Sequence, residues 1–295
     1  MEKFGPSNID ALMGGFKCLE RLKENEEILD SFQEIAPLFN TFFPLHIEKS
    51  RIFLNTGDYE NAIDYINNIM NKLPSKNFEI YKILAICDLI HEGNFSEAAK
   101  NMDKMIDLIF VNEPKNPDLY YSTAKLFARI SENRVEILKK CDLLIKKALD
   151  FAPKNAKYII EQAHYRIQFS ELDKAFELLT KAGEIDVNNK DSSFGLIYHK
   201  IFSNKLKEAV EDIDFLKDIF NSLQNNVHPK LIYYEAVIKF LQNESEESVG
   251  SVVSEALNTH VKMARQQLFN KFDILIMTDF DFLYQMAKCI ILFIK

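Results

Sequence analysis

Glycine and proline are scarce in this chain, at eight residues each among 295. That scarcity excludes long flexible linkers, collagen-like repeats and a turn-rich β architecture. Basic charge is also short: 36 lysines and arginines face 44 acidic residues, for a net charge of −8. A nucleic acid or an anionic membrane is therefore not expected as the main partner. The four cysteines, Cys18, Cys87, Cys141 and Cys289, lack paired spacing, which fits reduced thiols and neither a disulfide frame nor a zinc site. The opening residues MEKFGPSNID hold no apolar core of a signal peptide. The apolar tail from Phe272 to Ile294 is interrupted by Asp273, Asp279, Asp281 and Lys288, so it should not insert into a bilayer. The sequons at Asn94 and Asn243 have no glycosylation role without a secretory route. These absences together predict a cytoplasmic protein that is not secreted.

What is present is repetition. The composition is 47% hydrophobic, ample for continuous burial, and one helix-turn-helix pattern returns about every 34 to 43 residues along the chain. The clearest copy runs from Phe43 to Pro74, where Gly57, Tyr59, Ala62 and Pro74 have the mutual spacing of a tetratricopeptide repeat. In such a unit a helix A, a short turn and a helix B pack with axes about 8 to 10 Å apart, so small residues are needed at the closest contact. An α-solenoid grows by adding layers, which accommodates 295 residues without a single large core.

Seven units can be traced. The first has helix A at Ile9 to Leu22, capped by Asn8, and helix B at Glu26 to Phe39. The third spans Asn77 to Leu108 with Ala85, Gly93, Phe95 and Ala98. The fourth opens at Asn116-Pro117 and closes near Pro153. Its segment SENRVEILKKC exceeds the template by about five residues, which requires an extended helix B or an enlarged turn. The fifth covers Asn155 to Val187, the sixth Asp191 to Leu223 and the seventh Pro229 to Thr259. Further helices are expected from Lys262 to Leu275 and from Asp279 to Ile294. The stretch CIILFI lacks the polar face that ends a solenoid, so a piece of a longer solenoid is favoured over ends covered by partners.

No constellation points to catalysis. Gly14-Gly15 lacks the remainder of a phosphate-binding loop, and no histidine pair has metal-helix spacing. His91 near Cys87 is the nearest approach to a ligand pair and reads as a turn-end histidine over a core thiol. No nucleophile elbow is available, and the acidic pairs Glu246-Glu247 and Asp279/Asp281 suit helix starts. No enzyme activity, cofactor, metal or small-molecule substrate is expected.

The surface of interest is the face of helix A. Phe194, Tyr198 and Phe202 fall at i, i+4 and i+8, and Tyr233, Val237, Phe240 and Leu241 take equivalent places one unit later. This stripe reads either as packing between repeats or as an aromatic groove for a partner segment. As groove residues the candidates are Phe194, Tyr198, Phe202, Tyr233 and Phe240. Chaperone adaptors clamp a C-terminal carboxylate with Lys and Asn on successive A helices. The corresponding positions here, including Tyr121/Lys125, Ile160/His164 and Phe194/Tyr198, lack that pattern.

Departures from the ideal repeat carry a resemblance. The segments Glu113 to Arg134, Cys141 to Ala163 and Glu211 to His260 resemble the tetratricopeptide repeat protein 21 family, and FDILIMTDFDFLYQMAKCIILF continues the match. The stretches FNTFFPLHIEKSRIFLNTGDYENAID and HEGNFSEAAKNMDKMIDLI follow it more loosely. Members, also named intraflagellar transport protein 139, are much longer solenoids within intraflagellar transport complex A. The resemblance implies an internal segment of a non-enzymatic scaffold in the cytoplasm and cilium, at the ciliary base and axoneme. Its partners would be other complex A subunits, and its roles retrograde transport and ciliary cargo entry. A rival reading is a soluble tetratricopeptide adaptor for peptide segments of chaperones or cargo. The expected architecture is all-α: one right-handed α-solenoid of tetratricopeptide-like helix pairs over residues 1–295, about seven repeats plus terminal helices.

Overall fold

The computed structural model describes residues 8–22, 24–39, 41–72, 77–223 and 227–265. Among them every regular element is a helix, and the helices form seven consecutive pairs. Helices A are α1 (Ile9–Leu22), α3 (Phe43–Thr56), α5 (Phe78–Cys87), α7 (Pro117–Ile130), α9 (Ala156–Gln168), α11 (Lys190–Phe202) and α13 (Pro229–Leu241). Helices B are α2 (Asn25–Ile35), α4 (Tyr59–Lys72), α6 (Phe95–Asn112), α8 (Val135–Phe151), α10 (Leu172–Ile185), α12 (Leu206–Ser222) and α14 (Glu246–Arg265). Successive A helices begin 34 to 39 residues apart, so the repeat seen in the sequence is a structural period. The chain forms two compact units, one within residues 1–115 and one within residues 116–267.

A shared register explains why these residues pair as they do. The fourth residue of every helix B is buried, at 2% exposure or less: Ile28, Ala62, Ala98, Leu138, Ala175, Ala209 and Val249. The eighth residue of every helix A is buried as well, and in five of the seven it is small: Ser50, Ala85, Ala124, Ala163 and Ala236. Two small side chains at the crossing let the axes approach within packing distance. Helix α11 has Ile197 at that position and gains its room from Gly195, where an added Cβ would lie 2.5 Å from Leu179 Cδ2 of α10.

Helix starts follow a second rule. Asn8, Asn77, Asn116, Asn155 and Asn189 each cap a helix A by accepting a backbone N–H in its first turn, at 2.9 to 3.1 Å. His228 does the same for α13 through Nδ1. The turns from A to B reverse through left-handed backbone: Gly57 and Gly93, then Asn133 beside Glu132, Ser170, Asn204 and Asn243. Asparagine adopts this conformation more readily than most side chains, which lets the chain turn with few glycines.

Two expectations need correction, at α2 and at Lys262, and two gain detail. Helix α2 ends at Ile35 and not Phe39, because Pro37 has no N–H to continue the ladder. The third helix A finishes in a π-helical turn, Asp88–Glu92, where the buried Asp88 accepts from Asn101 Nδ2 at 2.8 Å. The long fourth unit uses both devices: residues 131–134 make the turn, and α8 runs for 17 residues. Lys262 to Arg265 continue α14 and do not open a new helix. The rest of the expected helix to Leu275, and the one from Asp279 to Ile294, lie outside the described residues.

Candidate protein-binding surface

In the second unit the A helices are neighbours in sequence order, α7 touching α9, α9 touching α11 and α11 touching α13. Between α7 and α9, Arg129 and Glu161 meet as a fork, Nη1 to Oε1 and Nη2 to Oε2 both at 3.1 Å, with each residue 5% exposed or less. Burial alone would raise the Glu161 pKa. Arg129, with His164 and Lys125 nearby, outweighs it and holds the carboxyl below its ordinary value. Above this pair the Tyr121 and Tyr158 rings stand 5.1 Å apart, and the Tyr158 hydroxyl donates to Asp118 Oδ1 at 2.5 Å. Burial, and then the hydrogen bond to Asp118, push Tyr158 up to about 12. The Lys125 ammonium lies 5.7 Å from the Tyr121 ring centroid, and burial lowers its pKa.

Further along, the five aromatic candidates divide. Phe194 is 2% exposed, with its ring 4.7 Å from that of His228. Tyr233 is 7% exposed and belongs to the same core cluster. Both therefore sit within the core and offer the least open surface of the five candidates. Phe194, in the second turn of α11, lies against His228 at the start of the next pair, which closes over that end of the stripe. Tyr198 is half-buried, packs against two adjacent core clusters, and faces Phe202 at 4.7 Å and Tyr234 at 6.0 Å. Phe202 and Phe240 stay open at 55% and 56%, because they fall in the last turn of α11 and of α13. Leu241 joins them at 47%. The open part of the stripe is therefore an apolar edge at the C-terminal ends of two A helices.

Two features were missed in the sequence. Arg129 and Glu161 are 32 residues apart, and no local pattern links them. Asp142 occupies the eighth position of α8, where other B helices place Phe32, Ile66, Met102, Leu179, Ile213 and Val253, and it forms an ion pair with Arg166 of α9. An acid at a core position was the available signal.

Reactive side chains are held back. Cys141 and Cys87 are buried, and desolvation pushes both thiols upward, Cys87 to about 12. His91 stacks on Tyr59, centroids 5.5 Å apart, with Nε2 4.0 Å from Glu60. Among the described residues no group of three His, Cys, Asp or Glu is arranged to hold a metal ion, and no helix is long and apolar enough to cross a membrane.

A known protein shares the fold. A solved tetratricopeptide repeat protein from Parabacteroides merdae superposes with a TM-score of 0.61, over 90% of this chain and 96% of that one, at 13% identity. That likeness shows the fold. Human tetratricopeptide repeat protein 21B is 23% identical over 250 residues, covering 85% of this chain and 19% of the relative. The Caenorhabditis elegans homolog of tetratricopeptide repeat protein 21 is 24% identical over 262 residues, covering 88% and 19%. The chain thus spans about a fifth of the length of these relatives. The family model described as tetratricopeptide repeat protein 21 second ARM domain matches residues 100–294, from the middle of α6 onward. With two thirds of its length under that model, the chain belongs to the tetratricopeptide repeat protein 21 family.

Proposed function

We propose that this chain is a non-enzymatic scaffold segment of intraflagellar transport complex A, active in retrograde transport and in entry of cargo into the cilium. The observation that carries this reading is family membership across a fold built from helix pairs. Stacked pairs generate extended side-chain surfaces and leave no enclosed site for chemistry. Partner subunits are held by the apolar edge of Phe202, Phe240 and Leu241, with Tyr198 as its floor. Open aromatic side chains supply large contact area with few rotatable bonds, which suits them as anchors. The segment works in the cytoplasm and the cilium and uses no cofactor, metal or small-molecule substrate.

The test is affinity purification of the tagged protein from ciliated cells, comparing wild type with a Phe202→Ser, Phe240→Ser variant. Recovery of complex A subunits with wild type, reduced with the variant, is the expected result. Recovery of none of them with wild type would remove the assignment to complex A. Equal recovery with both would move the contact elsewhere on the chain.

A further inference from the structure

The outward side of α12 carries a pattern that neither packing nor the A-helix surface uses. Phe215 is 66% exposed and Ile219 38%, and Leu223, just past the helix end, is 60% exposed. At i, i+4 and i+8 these three form one apolar row. A second row runs beside it: Glu211, Asp214 and Asp218, at i, i+3 and i+7, all exposed. None of these three carboxylates has an ion-pair partner among the described residues. Charges on the inward flanks of the same helix are matched instead, Asp212 with Lys200 at 2.7 Å and Lys217 with Glu235. So α12 satisfies its inner charges and presents an unmatched acidic row next to an unmatched apolar one.

We infer that this face docks an amphipathic helix of a partner protein whose apolar row is flanked by lysine or arginine. A helix laid along α12 covers Phe215 and Ile219 with its own apolar side chains. Cations repeating every three or four residues then fall opposite Glu211, Asp214 and Asp218. The same carboxylates repel an anionic membrane or a nucleic acid. A second copy of this chain is a poorer match. The outward face of its most lysine-rich helix, α8, sets Lys139 and Lys146 among Glu136 and Asp150, and Lys146 is already bound to Asp142 at 2.9 Å.

The test uses the 295-residue chain and a fluorescent helical peptide of about 18 residues, five turns, with leucine on one face and lysine beside it. A counterpart with glutamate for lysine is the control. Anisotropy should show the lysine peptide binding, more weakly as salt rises. Its affinity should fall about tenfold or more for Phe215→Ser, Ile219→Ser and for Glu211→Lys, Asp214→Lys, Asp218→Lys, while the reversed chain gains the glutamate peptide. All five positions are exposed, so circular dichroism and melting should match wild type. Equal affinity for wild type and both variants, or equal binding of the two peptides, overturns the inference. Sedimentation showing a dimer that the Phe215 variant abolishes would also overturn it, by assigning the face to a second copy.

Discussion

Arg129 grips Glu161 through two parallel hydrogen bonds at 3.1 Å, in a site where both side chains are almost wholly removed from water. The pair joins helix A of the fourth repeat to helix A of the fifth. Removing one partner strands the other as a buried charge. Arg129→Ala or Glu161→Ala should therefore cost about 3–5 kcal/mol in chemical denaturation. Replacing both by apolar residues of similar volume should cost less than either single change.

The same pair sets an acid limit. The Glu161 carboxyl titrates below its ordinary 4.5 in the fold, so below that value the unfolded chain takes up a proton that the folded chain refuses. Stability is full above about pH 4.5 and falls as the pH drops through the lowered folded value. Denaturation curves between pH 6 and pH 3 should show this loss, reduced in a doubly apolar variant.

His228 titrates in the same direction for a different reason. Burial, then Lys230, lower its pKa to about 4, and its Nδ1 accepts the Lys230 N–H at 3.3 Å to cap α13. Protonation would remove that acceptor beside the Phe194 and Phe220 rings. The unfolded histidine protonates first, so stability should decline from about pH 6.5 toward about pH 4. His228→Asn keeps a capping side chain without the titration, and should flatten that part of the profile.

Gly195 tests the close approach of α11 to α10. An alanine there gains about 1 kcal/mol in helix propensity. Its Cβ would meet Leu179 Cδ2 at 2.5 Å, and Leu179 is fully buried. Overpacking costs about 1–3 kcal/mol, so Gly195→Ala should be destabilising on balance. In a Leu179→Ala background the obstruction is gone and the same change should stabilise. A thermodynamic cycle over the four proteins reads the coupling.

The aromatic stripe separates by burial. Phe194→Ala should cost about 3–5 kcal/mol, as a core phenylalanine does. Phe202→Ser and Phe240→Ser should stay within about 0.5 kcal/mol of wild type, as exposed substitutions do. Melting curves distinguish these two classes before any binding is measured.

The repeat was legible because its signals are local. Small residues at fixed offsets, asparagines before helices and prolines between pairs each act within one or two turns of chain. The stripe from Phe194 to Phe202 was legible as a stripe, since helical spacing alone places its members. Which members stay open was not, because the neighbouring pair that closes over Phe194 belongs to a different stretch of sequence. Arg129 and Glu161 escaped notice for the same reason. Asp142 was visible as an acid on an apolar face, but its partner Arg166 belongs to the next repeat.

That acid has a consequence for assembly. Seven pairs built to one register could dock on the wrong neighbour as the chain collapses, and apolar contacts alone discriminate weakly among them. Asp142 with Arg166, and Arg129 with Glu161, tie the fourth repeat to the fifth by charge, as Arg51 with Glu20 ties the second to the first and Lys217 with Glu235 the sixth to the seventh. A pair docked out of place would separate these partners and strand their charges in an apolar interface. Each such junction acts as a key that favours its own neighbour, which lets a chain of near-identical parts keep count.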